Sequence, residues 1–380
     1  MSENQGKIRI GITHGDYNGI SYEVILKALN HREITDLFTP VIFGSGRIAA
    51  ETIRQLQLED FKFRQIEKAA QSQDGHINLV DITANEVHHT PGVASEKAGE
   101  AAVAALEAAC KALDEGDIDL LVTAPIDKKS VQGESFNFPG HTEYLEEKFV
   151  VEGGKAMMIM AEEGLRVALV TTHLPLSEVA SHITKENVER CIRDFARILR
   201  MDFGCERPRI AVLGLNPHCG DGGVLGSEEA EAILPAVEAC RDRGILAFGP
   251  FAADGFFGSG SYRHYDGVLA MYHDQGLAPF KALTRYGGVN FTAGLNVIRT
   301  SPAHGTAYDK AGKGVADETS MREAIYMAID IARRRADYLD SSESPLEIRE
   351  VKPREPKHMK PFQPDDSKND EETATTENNE

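Results

Sequence analysis

Three histidines stand out by their positions. His173 lies in Thr171-Thr-His173-Leu-Pro-Leu, His218 in Leu213-Gly-Leu-Asn216-Pro-His218-Cys-Gly220, and His273 in Met271-Tyr-His273-Asp274-Gln-Gly. Each follows an apolar run that reads as a strand, so each occupies the slot just beyond a strand's carboxyl end. Neutral imidazole is a common ligand for zinc and similar cations. Three such rings on three loops could converge on one divalent ion and leave positions open for substrate. The spacings of 45 and 55 residues carry no local signature of the HExxH kind, and each histidine alone also reads as a capped loop residue. The Pro or Asp beside each one could fix its loop or orient its ring. Cys219 is a softer alternative ligand, but no second thiolate stands near it.

A second group of residues suits an anion. Pro139-Gly140-His141-Thr142-Glu143 reads as a turn with Thr142 near the N-cap of a helix running to Phe149. Helix N-termini offer free N–H groups and the positive end of a dipole to phosphate or carboxylate. Lys281, Asn290 and Arg299 follow on successive segments. Arginine forks an anion, whereas lysine acts as a point charge. Lys281 also reads as a solvated surface cation. Arg299 closes an apolar strand with Leu295, Val297 and Ile298, where a guanidinium calls for a buried anionic partner. The Gly-punctuated run Ser301 to Gly314 includes His304, Gly305, Thr306 and Asp309. It is not the GxGxxG fingerprint, and neither is Gly11 to Gly19, so no Rossmann cofactor loop is expected.

The elements that must position these residues alternate along the chain. Strands are expected at Lys7–Thr13, Pro40–Gly44 and Ile118–Thr123, then near Ala156–Met160, Arg166–Thr171, Arg209–Leu213, Gly267–Met271 and Asn296–Arg299. Helices are expected at Ile20–Leu29, Glu96–Gly116, Lys185–Met201, Ser227–Arg243 and Thr319–Tyr338. Such alternation implies an α/β protein with largely parallel sheets, whose ligands bind beyond the strands' carboxyl ends.

Composition removes several classes. The 380 residues carry 41 Lys+Arg against 60 Asp+Glu, a formal charge of −19. That field repels nucleic acid and anionic lipid, so any phosphate-bearing ligand needs a local basic pocket. No uncharged apolar run reaches the ~18 residues of a membrane span. The first residues lack the order of a signal peptide. Five scattered cysteines without CxxC suit reduced thiols in the cytoplasm. Residues 341–380 hold eleven acidic and six basic residues among repeated prolines, which predicts a disordered acidic tail and leaves −14 on the rest.

Taken together in order, THGD…NG, GHTE, TTHLPL, GLNPH, GDGG, YHDQG, GVN and IRTSPAHGTAYDKAGKG resemble the 4-hydroxythreonine-4-phosphate dehydrogenase family of vitamin B6 biosynthesis over residues 7–340. The loop from His304 to Asp309 is also similar to the cofactor loop of isocitrate and isopropylmalate dehydrogenases. The resemblance implies a two-domain α/β/α fold of that kind rather than a Rossmann fold. One lobe would take residues 1–140 with 300–340, and the other 141–299. It implies a homodimer with its sites at the subunit interface. It further implies a divalent cation, most often zinc with magnesium or cobalt as substitutes, held by His173, His218 and His273. His141, Thr142, Lys281, Asn290 and Arg299 would contact substrate, and His304, Gly305, Thr306 and Asp309 would contact NAD or NADP. Asp254 and Lys281 are the candidate catalytic groups; Asp254 could take the hydroxyl proton, position a ligand or simply cap a helix. The implied reaction is NAD-dependent oxidation of 4-phosphooxy-L-threonine, followed by decarboxylation. The family pattern departs at Tyr17-Asn18-Gly19 in the opening loop and at Cys219.

Related chemistries remain as alternatives. A paralogue acting on phosphorylated threonate or erythronate would keep the same metal and phosphate residues. An isopropylmalate-type enzyme would hold its metal with aspartates, and a metal- and anion-binding storage protein would not need the His304 loop.

Overall fold

The computed structural model describes residues 7–31, 33–83, 88–133, 136–151 and 154–343. Mostly buried runs form the strands: β1 (Arg9–Thr13), β2 (Thr39–Gly44), β3 (Phe63–Ile66), which is only partly buried, β4 (Ile77–Asp81), β5 (Leu120–Thr123) and β6 (Met157–Glu162). They continue with β7 (Leu165–Leu169), β8 (Arg209–Leu213), β9 (Leu246–Phe251), β10 (Gly267–Ala270), β11 (Val289–Ala293) and β12 (Arg299–Pro302). All twelve join one sheet in the order β3-β4-β2-β1-β5-β12-β11-β6-β7-β10-β8-β9. The block β3 to β12 is parallel throughout, and so is the block β7 to β9. Three antiparallel pairings through β11 and β6 join them. The mixed α/β fold with a mostly parallel sheet is the class the alternation predicts.

Eleven helices among the described residues flank this sheet. They are α1 (Ser21–Leu29), α2 (Ile34–Leu37), α3 (Gly46–Gln55), α4 (Glu96–Asp114), α5 (His141–Phe149) and α6 (Leu176–His182). The rest are α7 (Lys185–Met201), α8 (Leu234–Asp242), α9 (Ala253–Gly258), α10 (His273–Thr284) and α11 (Thr319–Glu343). Local chemistry sets several ends. The Ser95 hydroxyl accepts from Ala98 N at 3.2 Å to start α4, and Thr184 does the same for α7. α4 stops in a Schellman turn: Gly116 N donates to Leu113 O and Asp117 N to Ala112 O, with Gly116 at φ 71°. Within α7, Val188, Cys191, Ile192, Phe195, Ile198 and Leu199 recur at helical spacing and are buried. Each such large side chain contributes about 1.5–3 kcal/mol relative to exposure.

Some expectations need correction. The run Asn296–Arg299 is no strand. Gly294, at φ 85°, turns the chain where an added Cβ would meet Lys155 O at 2.5 Å, and Leu295 then bridges Val150. Two strands flank this bend, and Arg299 opens β12 instead of closing a strand. The helix after residue 227 begins as a π turn, Glu229–Ile233. α11 continues through Ser341 to Glu343, past the expected start of the tail. The remainder of that segment, 344–380, lies outside the described residues. All five cysteines are free thiols. Among the described residues, no helix is long and apolar enough to cross a membrane.

Candidate active site

A cavity of about 250 Å³ opens where β5, β11 and β12 meet the loops after β7 and β10. Its lining brings together His141, Thr142, His173, His273, Lys281, Asn290, Arg299, His304 and Gly305. Nine sequence-predicted residues therefore share one space although 164 positions separate the first from the last. Thr306 and Asp309 lie further along the same Gly-rich loop and do not line it.

Arg299 dominates the cavity's electrostatics. It is 2% exposed, and its partners are neutral hydroxyls. Its Nε and Nη2 donate to Thr123 Oγ1 at 3.1 and 2.6 Å, and its Nη1 donates to Thr292 Oγ1 at 2.8 Å. It forms no ion pair among the described residues, and burial lowers its pKa to about 10 despite the Glu143 charge. A buried guanidinium without a paired carboxylate favours an incoming anion. Burial, then the Arg299 charge, holds His141 well below the ordinary histidine range, so that ring is neutral. Asn290 points a buried Oδ1 at this space without a hydrogen-bond partner.

The start of α5 forms one wall. Gly140, not Thr142, is its N-cap, so His141 and Thr142 are its first two helical residues. Their N–H groups belong to the set that a helix leaves without intrahelical acceptors. Glu143, one residue on, was not singled out from the sequence as a site residue. Its Oε1 accepts from His173 Nδ1 at 2.8 Å. Burial pushes Glu143 up, but hydrogen bonds from His173 and its own backbone, with the charges of His173 and Lys128, outweigh this and hold the carboxyl below its usual value.

His173 and His273 face each other with ring centroids 6.0 Å apart. His273 Nδ1 in turn donates to Asp274 Oδ1 at 2.7 Å. A carboxylate only accepts, so both Nδ1 atoms carry a proton, and Nε2 is the ring atom each histidine offers toward the cavity. Carboxylate-tied imidazoles with free Nε2 atoms are the ordinary arrangement of histidine metal ligands. Lys128 Nζ lies 3.5 Å from His173 Nε2.

His218 is not with them. The loop after β8 passes through six consecutive residues of positive φ, His218 to Gly223, at 53°, 54°, 78°, 45°, 64° and 98°. This left-handed turn leaves His218 exposed and outside the cavity lining. Glu229 anchors it by accepting from Leu215 N and Asn216 N at 2.7 and 2.6 Å and from Asn216 Nδ2 at 3.0 Å. Asp254 is exposed on the first turn of α9, where Ala252 is the N-cap, and it does not line the cavity either. It neighbours the His218 loop, since its charge helps burial to raise the Cys219 thiol. Among the described residues of one chain, no three His, Cys, Asp or Glu side chains are grouped to hold a metal ion.

A second pocket of about 260 Å³ adjoins the first through Lys281 and His304, and is lined further by Ile20, Ala307, Lys310 and Asp317. The Gly-rich loop thus borders both spaces, with His304 in the wall of each. Sequence reasoning missed Thr123, Thr292, Lys128 and Glu143; only Glu143 sat inside a recognised motif, GHTE.

Comparison with known proteins places the chain among relatives of one kind. The chain is 53% identical over 335 residues to a 4-hydroxythreonine-4-phosphate dehydrogenase of Bacteroides thetaiotaomicron, covering 88% of this chain and 91% of that protein. It is 40% identical over 330 residues to a D-threonate 4-phosphate dehydrogenase of Cupriavidus necator, covering 86% and 98%. The crystal structure of a 4-hydroxythreonine-4-phosphate dehydrogenase from Klebsiella pneumoniae superposes with a TM-score of 0.71 at 35% identity, covering 87% of this chain and 99% of that one. A family model described as pyridoxal phosphate biosynthetic protein PdxA matches residues 36–328, and the chain belongs to that family.

Proposed function

We propose that the protein oxidises 4-phosphooxy-L-threonine with NAD+ to 2-amino-3-oxo-4-phosphooxybutanoate, which loses CO2 to give 3-amino-2-oxopropyl phosphate. The observation that carries this reading is Arg299: a buried cation without a carboxylate partner, in the same cavity as two carboxylate-tied histidines. The substrate phosphate supplies the missing anion. Arg299 and Lys281 hold its charge, and the first N–H groups of α5 donate to its oxygens. Neutral His141 donates one N–H without adding charge, and Asn290 Oδ1 accepts from the substrate. Fixing the phosphate at this end orients the secondary hydroxyl toward His173 and His273.

The donor set fits a divalent cation in part: His173 and His273 offer two imidazole Nε2 atoms, a preference shared by zinc and cobalt. When bound, such a cation supplies Lewis acidity toward an alcohol and a carbonyl oxygen. His218 is the third ligand, contributed by a second copy in a homodimer with shared sites. Support comes from the His218 loop and Asp254, which are neighbours, exposed and away from their own cavity. The same loop exposes Val224 and Leu225 at 77% and 44%, an apolar surface that suits a partner. Asp254 then arrives with His218 as the group that takes the hydroxyl proton. Lys281, which lines both pockets and holds the phosphate with Arg299, is the other catalytic group.

NAD+ supplies the hydride acceptor, seated against His304, Gly305, Thr306 and Asp309. The free thiols suit a reducing, cytoplasmic setting. Residues 1–140 with 300–340 and residues 141–299 act as two lobes on either side of the cleft. The test is stoichiometric: incubation with 4-phosphooxy-L-threonine, NAD+ and zinc should release one CO2 per NADH formed. NADH without CO2 would contradict the decarboxylation, and neither product would contradict the reaction.

A further inference from the structure

The THGD segment of the first loop takes no part in the reaction as described, yet it is among the most completely buried polar segments. His14, Asp16 and Asn18 are each at most 1% exposed. Its contacts run in two directions. Toward the substrate cavity, Asp16 N donates to Pro125 O at 2.8 Å, and Pro125 is part of the cavity wall. Gly15, at φ 62°, packs so closely there that an added Cβ would stand 2.3 Å from the same carbonyl. Toward the Gly-rich loop, the Tyr308 hydroxyl donates to Asp16 Oδ2 at 2.6 Å, a contact spanning 292 positions. Ile20 N donates to Thr306 O at 3.0 Å, and a Cβ at Gly19 would meet that oxygen at 2.7 Å. Asp16 Oδ1 is occupied by Asn18 N at 2.8 Å, so the carboxylate has one oxygen for its own turn and one for Tyr308.

One residue therefore ties the wall of one pocket, through its backbone N–H, to the loop that borders the next, through its carboxylate. We propose that the Asp16–Tyr308 pair is a buried strut that sets the spacing between cofactor and substrate, which makes Asp16 a positioning residue. The word cofactor here rests on the function proposed above; the strut itself rests only on the contacts. Hydride transfer needs the two reacting carbons within about 3–3.5 Å, so slack between these two walls acts directly on rate.

The test uses Asp16→Asn, Tyr308→Phe and the double variant in the full chain. Asn keeps the shape but turns an N–H toward either Tyr308 or the Asn18 amide. Phe keeps the ring and removes the donor. Amide hydrogen exchange at residues 304–312, measured without ligand, should rise about tenfold in each single variant, as expected for a hydrogen bond to a charged group. The affinity for NADH should fall by a similar factor. kcat should fall and KM for NAD+ rise while KM for the phosphorylated substrate stays within about twofold, whereas simple loss of folded enzyme would lower kcat with both KM values fixed. The double variant should resemble the singles, because both remove one interaction. Unchanged exchange and unchanged NADH affinity in both singles, or effects that add in the double, would overturn the strut. If the wild-type chain binds no NADH, the proposed function fails, and the exchange measurement still decides the strut.

Discussion

Arg299→Met is expected to lower kcat/KM for the phosphorylated substrate by about 10² to 10³-fold, almost entirely through KM. Truncating one partner of a buried, hydrogen-bonded charge pair typically costs about 2–5 kcal/mol, and each 1.4 kcal/mol is tenfold. Ligand-free stability should respond differently. Arg299 is buried with only Thr123 and Thr292 hydroxyls around it, and burial already lowers its pKa to about 10. Removing an unpaired buried charge relieves a desolvation cost, which offsets the hydrogen bonds lost to two hydroxyls. The melting temperature of the ligand-free variant should lie within a few degrees of wild type. The rise that inorganic phosphate produces in the wild type should vanish in the variant. Arg299→Lys should recover only part of the loss, since an ammonium lacks the planar fork that meets two phosphate oxygens. A variant whose kcat/KM matches wild type would remove Arg299 from the substrate site.

The second large effect concerns the proposed sharing of the site between two copies. His173→Ala and His218→Ala should each lose metal retention and at least 10³-fold in NADH formation as pure dimers. Co-expressed in equal amounts, they should regain about a quarter of wild-type activity, because half of randomly paired dimers are hybrids and each hybrid has one intact site of two. That intact site takes His173 and His273 from the His218→Ala chain and His218 from its partner. No recovery on mixing would mean that His218 acts within its own chain or does not act at all.

Much of the framework was legible in local pattern. The α7 residues Lys185–Met201 carry a strong apolar stripe, and Gly116 marks the end of α4 by the left-handed turn it permits. Four strands, β3, β4, β9 and β11, lie outside the expected set: β3 is only partly buried, β9 carries Gly249 and Pro250, and β4 and β11 are runs of five residues with an Asn among them. The apolar letters of Leu295–Ile298 suggested a strand, but Gly294 makes them a bend, and this moved Arg299 from a strand's end to its start. The site was legible in its residues and not in its connectivity. His173, His218 and His273 occupy equivalent slots after three adjacent parallel strands. What separates them is backbone handedness: the positive-φ run from His218 to Gly223 directs that loop elsewhere, and no apolar period records it. Thr123 and Thr292 were invisible for another reason. A hydroxyl on a buried strand reads as ordinary strand composition until a guanidinium is found beside it.

The phosphate and histidine residues do not read the amino group of the substrate, and relatives of both kinds, a 4-hydroxythreonine-4-phosphate dehydrogenase and a D-threonate 4-phosphate dehydrogenase, align along the chain. The most direct measurement is therefore kcat/KM with NAD+, followed at the nicotinamide absorbance, for 4-phosphooxy-L-threonine against D-threonate 4-phosphate. The proposed function predicts that 4-phosphooxy-L-threonine is preferred by at least tenfold. Efficient turnover of D-threonate 4-phosphate with little or none of 4-phosphooxy-L-threonine would contradict it.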